Sequence, residues 1–186
     1  MRGDVIFSRK IYCPHHLNFW HMGLTFLQIL LGITAVSTAL MGGLFYAYSC
    51  SVKPGLGRLS DMGYLSAMQS INRAILNPAF FSSFLGSLAL LPVCTWVYFS
   101  YSVSPGSWCV LGATVVYFTG VFGVTMVGNV PLNNALDKAD LAAASAGQLA
   151  QHRAAFEERW NRLNTVRTVA AVATVALMVA GCIGFK

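Results

Sequence analysis

Four long apolar runs constrain this chain more than any other feature. They lie at about residues 22–49, 79–102, 108–128 and 166–185, and the only charged residue inside them is Arg167, at the start of the fourth. A bilayer core is crossed by about 20 apolar residues as helix. Each run is long enough. A β-barrel would instead show short alternating segments, and lipid tolerates no unpaired backbone. Only 10% of the 186 residues are charged and 56% are hydrophobic, with a mean hydropathy of +0.61. A soluble domain carries roughly a quarter charged residues, so this chain cannot cover a water-facing surface. The expected fold class is all-α, a four-helix transmembrane bundle. Residues 1–186 are expected to form a single integral membrane domain, of which 1–21 is an N-terminal extension.

The connections are unequal. Between the second and third runs "SYSVSPGS" is short and uncharged. The other two are long and share one side. In the first, Leu65, Met68, Ile75 and Leu76 make an apolar stripe at helical spacing, with Asn72 on the same stripe. A polar residue on that face needs a partner. In the second, Leu149, Arg153, Phe156, Trp160, Leu163 and Arg167 recur in steps of four and three. No breaker separates them from the fourth run. One helix from Gln148 to Phe185 is expected, about 57 Å long at 1.5 Å per residue. It would project from the bilayer as a stem, with Glu158 and Arg162 as an i, i+4 pair. Small residues at Ala35, Ala39, Gly43 and Ala47, and at Ala176, Ala180 and Gly184, predict the seams where helices meet. Pro131 disfavours helix at Val130 and is expected to end the third span nearby.

The formal charge of +6 marks membrane flanks rather than a nucleic-acid surface. Eight basic residues lie on the side of the long connections and four on the other. Long connections toward the matrix or cytoplasm are therefore expected, in a mitochondrial or bacterial inner membrane. Residues 1–21 lack the apolar core of a secretory leader, and chain ends held by packing on neighbours are expected. Cys13, Cys50, Cys94, Cys109 and Cys182 form neither a zinc pattern nor a disulfide framework. Cys13, His15, His16 and His21 match no standard metal spacing and read as a polar interfacial tail. Neither metal nor cofactor is expected. H-E-x-x-H, G-x-S-x-G and a Walker loop are all missing, and no ionisable residue at depth suggests a proton or ion path.

What remains is polar and clusters at one mouth of the bundle. "SINRAILNP" supplies Asn72, Arg73 and Asn77; "GNVPLNNALD" supplies Asn129, Asn133 and Asn134; "RLNTVR" supplies Asn164 and Arg167. Asparagine donates and accepts at once, and arginine offers a planar fork of donors. Together they suit a carbonyl-rich or phenolic ligand, or an enolate-like oxygen. The alternative is equally physical: span ends leave orphan carbonyls and amides, and asparagine caps them.

At these residues the chain resembles the anthrone-oxygenase-like family of small four-span membrane proteins. The stretches that carry the resemblance are "GGLFYAYSCSVKPGLGRL", "AMQSINRAILNPAFFSSFLG", "YFTGVFGVTMVGNVPLNNALD" and "NTVRTVAAVA". The resemblance implies a four-helix bundle. For the characterised relatives it implies oxygenation of an anthrone to an anthraquinone without bound metal or flavin, with Asn72, Arg73, Asn77, Asn129, Asn133, Asn164 and Arg167 around the site. The stem departs from the family pattern at Arg153, Phe156, Leu163 and Thr165, while Trp160 is kept. Residues 1–21 also fall outside it.

Two functions follow as expectations. The first is a non-catalytic accessory or structural subunit of a larger membrane complex, with other membrane subunits as partners beside the lipid. It rests on the altered stem, the extra N-terminal segment and the lack of an evident catalytic acid, base or metal. The alternative is a membrane-embedded, anthrone-oxygenase-like oxidoreductase acting on a flat aromatic substrate, anthrone or quinone-like. A quinone-like or lipid ligand is a third candidate partner.

Overall fold

The computed structural model describes residues 14–184, with side chains from Thr25 onward. Helix α1 (Pro14–Ala47) passes through a π-helical turn at Tyr48–Val52 into the short α2 (Lys53–Leu56). Helix α3 (Asp61–Ala74) forms the first long connection, and α4 (Pro78–Tyr101) is the second span. Helix α5 (Pro105–Val116) continues through π-helical segments at Tyr117–Gly123 and Thr125–Asn129 into α6 (Val130–Asp137). Helix α7 (Ala146–Ile183) is stem and fourth span in one, 38 residues long. Its start is fixed by Ser145 and Gln148, which cap each other's backbone amides. Four stretches are long and apolar enough to cross a membrane: Thr25–Leu56, Pro78–Tyr101, Pro105–Asp137 and Ala146–Ile183. The protein is an integral membrane protein, and no strand occurs among the described residues.

The spans form a ring in which α1 packs on α4, α4 on α5, α5 on α7 and α7 on α1. Two apolar cores result. One fills the bundle with Leu27, Leu31, Met41, Leu91, Val110, Val121 and Met178. The other lies at the stem, where Tyr64, Leu65 and Met68 of α3 meet Leu136, Leu149, Phe156 and Trp160. Leu65 and Met68 of the stripe expected in the first connection, and Leu149, Phe156 and Trp160 of the stem stripe, bury this second core, whereas Ile75 and Leu76 lie beyond α3 and Leu76 is exposed. Inside the bundle, hydroxyls stay paired. Thr34 and Thr38 donate to carbonyls one turn back, and the Ser37 and Ser87 hydroxyls meet at 2.9 Å between α1 and α4.

Three expectations are corrected. Ala39, Gly43 and Ala47 of α1, and Ala176 and Ala180 of α7, are exposed, whereas Ala35 packs on the bundle core and Gly184 backs onto Gly106 of α5 as a seam residue should. Lipid tails are as apolar as these residues, so nothing drives a small-residue stripe inward; the threonines and Arg167 do need an interior. Further close approaches fall at glycines outside the expected stripes. A Cβ on Gly128 would stand 2.8 Å from Leu163 Cδ1, and one on Gly181 2.6 Å from Val110 Cγ2. Second, Pro131 does not end the third span, which stays helical to Asp137. Val130 keeps helical angles (φ −61°, ψ −46°), and the wider π-helical turn before it accommodates the proline in the first turn of α6. Third, Glu158 and Arg162 do not pair; the stem ion pairs are Arg153–Asp61 and Arg153–Glu157. The side chains of Cys13, His15, His16 and His21, the N-terminal basic residues and Lys186 lie outside the described residues.

Candidate functional site

The polar constellation surrounds a cavity of about 150 Å³ at the mouth where the spans meet the stem. Four of the eight residues singled out from sequence line it: Asn72, Asn133, Asn164 and Arg167. Apolar walls come from Leu44, Phe45, Ile71, Ile75, Leu76, Phe80 and Val130.

Arg167 is the centre of the site. It is only 7% exposed, yet among the described residues no carboxylate pairs with it. Its Nη2 donates to Asn164 Oδ1 at 2.9 Å and its Nη1 to Thr125 Oγ1 at 3.3 Å. Its Nε has no partner among the described residues. The guanidinium lies 4.6 Å from the Phe45 ring centre and 5.4 Å from that of Trp160. Aromatic faces attract a cation but do not neutralise it. Leaving a buried charge uncompensated is costly, so the site carries an unmet demand for negative charge or for strong acceptors.

Neighbouring side chains are held in place around it. Asn164 is fixed from its other end, donating to Ser49 Oγ at 3.0 Å. The Trp160 indole N–H donates to Asn133 Oδ1 at 2.7 Å, which locks the ring in the wall. Tyr48 packs on Trp160, with ring centres 4.6 Å apart, and its hydroxyl reaches Met68 Sδ at 3.4 Å. Asn72 projects into the cavity with a buried Nδ2 that has no partner. Asn72 Nδ2 and Arg167 Nε are thus two unused donors among the residues of one cavity. Buried donors are rarely left this way unless something else satisfies them.

The other candidates separate. Arg73 and Asn134 line an adjoining vestibule of about 220 Å³ that shares Asn72, Ile75, Leu76, Val130 and Asn133 with the inner chamber. There Arg73 Nε donates to Asp137 Oδ1 at 2.6 Å. Asn129 is buried behind the wall, donates to Trp160 O at 3.5 Å, and does not cap a helix. Asn77 is the N-cap of α4. Its Oδ1 accepts from the Phe80 amide at 3.0 Å and its Nδ2 donates to Ala74 O at 2.8 Å, so capping accounts for it fully.

Sequence reading missed Tyr48, Ser49 and Thr125. Thr125 had a signal, because Thr125, Asn129 and Asn133 are spaced by four along one helix. Both π-helical turns at this end carry cluster residues: Tyr48 and Ser49 in one, Thr125 and Asn129 in the other. Such turns often occur at functional sites, where they re-aim side chains. Of the stem positions that depart from the family pattern, none lines the cavity, whereas the retained Trp160 does.

Fold and site together define a small four-span integral membrane protein with a buried cationic cavity at one bundle mouth. The anthrone oxygenase family model matches residues 79–177, more than half of the chain, and the chain belongs to that family. The match includes Asn129, Asn133, Asn164 and Arg167. No curated protein and no solved structure matches the chain.

Proposed function

We propose that the cavity binds a flat, oxygen-bearing aromatic molecule with its carbonyl or phenolic oxygen against Arg167 and Asn72. In keeping with the family, the reaction is oxidation of an anthrone-type ketone to the quinone. Loss of the ring CH₂ proton moves negative charge onto the carbonyl oxygen. Dioxygen adds at that carbon, and the resulting hydroperoxide loses water. The sum is anthrone plus O₂ giving anthraquinone plus water, with no further reductant. Donors placed where charge develops stabilise such a step. The observation that carries this reading is the buried Arg167, short of a carboxylate and with an unused donor. A cavity of 150 Å³ accepts about one ring, so a longer ring system would extend past the rim. In vesicles containing the purified protein, oxygen uptake and quinone formation should exceed the spontaneous rate and return to it in Arg167→Met. A wild-type rate no faster than air oxidation would remove this reading.

A non-catalytic accessory subunit is the second reading, and the cavity lining gives it one argument. The residues there include no carboxylate and no imidazole, leaving Tyr48 or water to move the proton. The altered stem adds less, since those positions stand away from the cavity. This reading predicts stable co-purification with other membrane subunits in mild detergent, and loss of that assembly when residues 1–21 are deleted. The basic-residue bias supports long connections on the matrix or cytoplasmic side of an inner membrane.

A further inference from the structure

The two chambers differ in what their exposed residues are. Around the inner chamber, the exposed lining residues are Leu44 (40%), Ile71 (36%) and Leu76 (65%), all aliphatic. Its polar groups are recessed: Arg167, Asn164, Thr125 and Trp160 are buried, and Asn72 and Asn133 are half-buried. The site therefore has a greasy rim and a polar floor. Beside the rim, Leu40 of α1 and Phe81 of α4 are exposed as well. In the vestibule the exposed residues are Arg73, Asn134 and Asp137, with Leu76 shared. Across that chamber α3 is tied to α6 by the Arg73–Asp137 pair and by Gln69, whose Nε2 donates to Leu136 O at 2.8 Å and Ala139 O at 3.1 Å.

A water-facing mouth would be expected to have this polarity reversed, because exposed aliphatic rims cost free energy in water and none in hydrocarbon. We infer that the inner chamber opens sideways into the bilayer, between α1 and the α3–α4 corner, and takes ligands dissolved in the membrane, oxygen end first. This rests on the function proposed above and adds the route of entry: the ligand arrives from the lipid, and its trailing edge stays in lipid while bound.

The geometry of the bound state gives a test in which the ligand is varied and the chain is unaltered, with Trp160→Phe only as the control that identifies the signal. Anthraquinones carrying 2-ethyl, 2-butyl and 2-hexyl chains are titrated into phosphatidylcholine vesicles holding the protein. Binding is read as the quenching of tryptophan fluorescence that Trp160→Phe removes, and Kd is expressed as mole fraction in the membrane. If the mouth faces lipid, the alkyl chain never leaves hydrocarbon, and Kd stays constant within about twofold across the series. If the mouth faces water, each methylene is withdrawn from lipid, and Kd rises about fourfold per CH₂. That rise, in a protein whose binding still depends on Arg167, overturns the lateral opening alone. No Trp160-dependent quenching by any member overturns the aromatic-ligand reading too.

Discussion

Arg153 and Arg167 stand on the same stripe of the same helix, and their surroundings are opposite. Arg153 uses every type of donor it has. Its Nε donates to Glu157 Oε2 at 2.6 Å, its Nη1 to Leu59 O at 2.8 Å and Asp61 Oδ1 at 3.1 Å, and its Nη2 to Gly57 O at 3.3 Å. It also covers the Tyr64 ring at 4.6 Å. The Tyr64 phenol beneath it is held above its ordinary pKa, chiefly by burial. Arg167 is more deeply buried and, among the described residues, has no carboxylate and leaves Nε unused. The difference separates a residue that folds the stem from one that the fold must tolerate. The buried cation and the unused asparagine donor that line one cavity are the observations on which the proposed ligand rests.

Substitutions can break this contrast. The largest effect is expected for Arg167→Met, which should weaken quinone binding about 100-fold, since charge-assisted hydrogen bonds contribute about 1.5–3 kcal/mol each; equilibrium titration in vesicles measures it. Arg153→Met should do the reverse, leaving affinity unchanged and lowering stability by about 1–2 kcal/mol. That figure is held down because Asp61 is 39% exposed and the pairs are partly screened; denaturant titration in detergent reads it. Asn72→Ala should cost about five- to tenfold in affinity, one neutral hydrogen bond, with no change in unfolding. Asn77→Ala should leave affinity alone and cost about 0.5–1 kcal/mol of stability as a lost N-cap. An affinity loss at Asn77 would blur the line between capping and binding residues drawn here.

Much of the architecture was legible because lipid imposes strict rules. Run lengths gave the spans, and unbroken periodicity from Leu149 to Arg167 gave the continuous stem. The seams were legible only in part, because Ala39 and Gly43 gain nothing by facing a helix rather than a lipid. Pro131 misled for a local reason: its effect on Val130 is absorbed by the π-helical turn at Thr125–Asn129, and such register changes leave little trace in composition. The polar constellation was visible as residue types. Its division was not. Asn77 and Asn72 stand five residues apart in one motif, and only their placement shows that the first is used up by backbone while the second keeps a donor for the cavity.

The most direct test of the central claim compares the melting of Arg167→Met and wild type in mild detergent, with and without 2-ethylanthraquinone. If Arg167 is kept for a ligand, the variant melts at or above the temperature of ligand-free wild type, because an apolar side chain of similar length replaces an uncompensated buried charge. The quinone then raises the wild-type Tm and leaves the variant's unchanged. If Arg167 instead locks the bundle mouth, the variant melts several degrees lower and the quinone shifts neither protein, which contradicts the account.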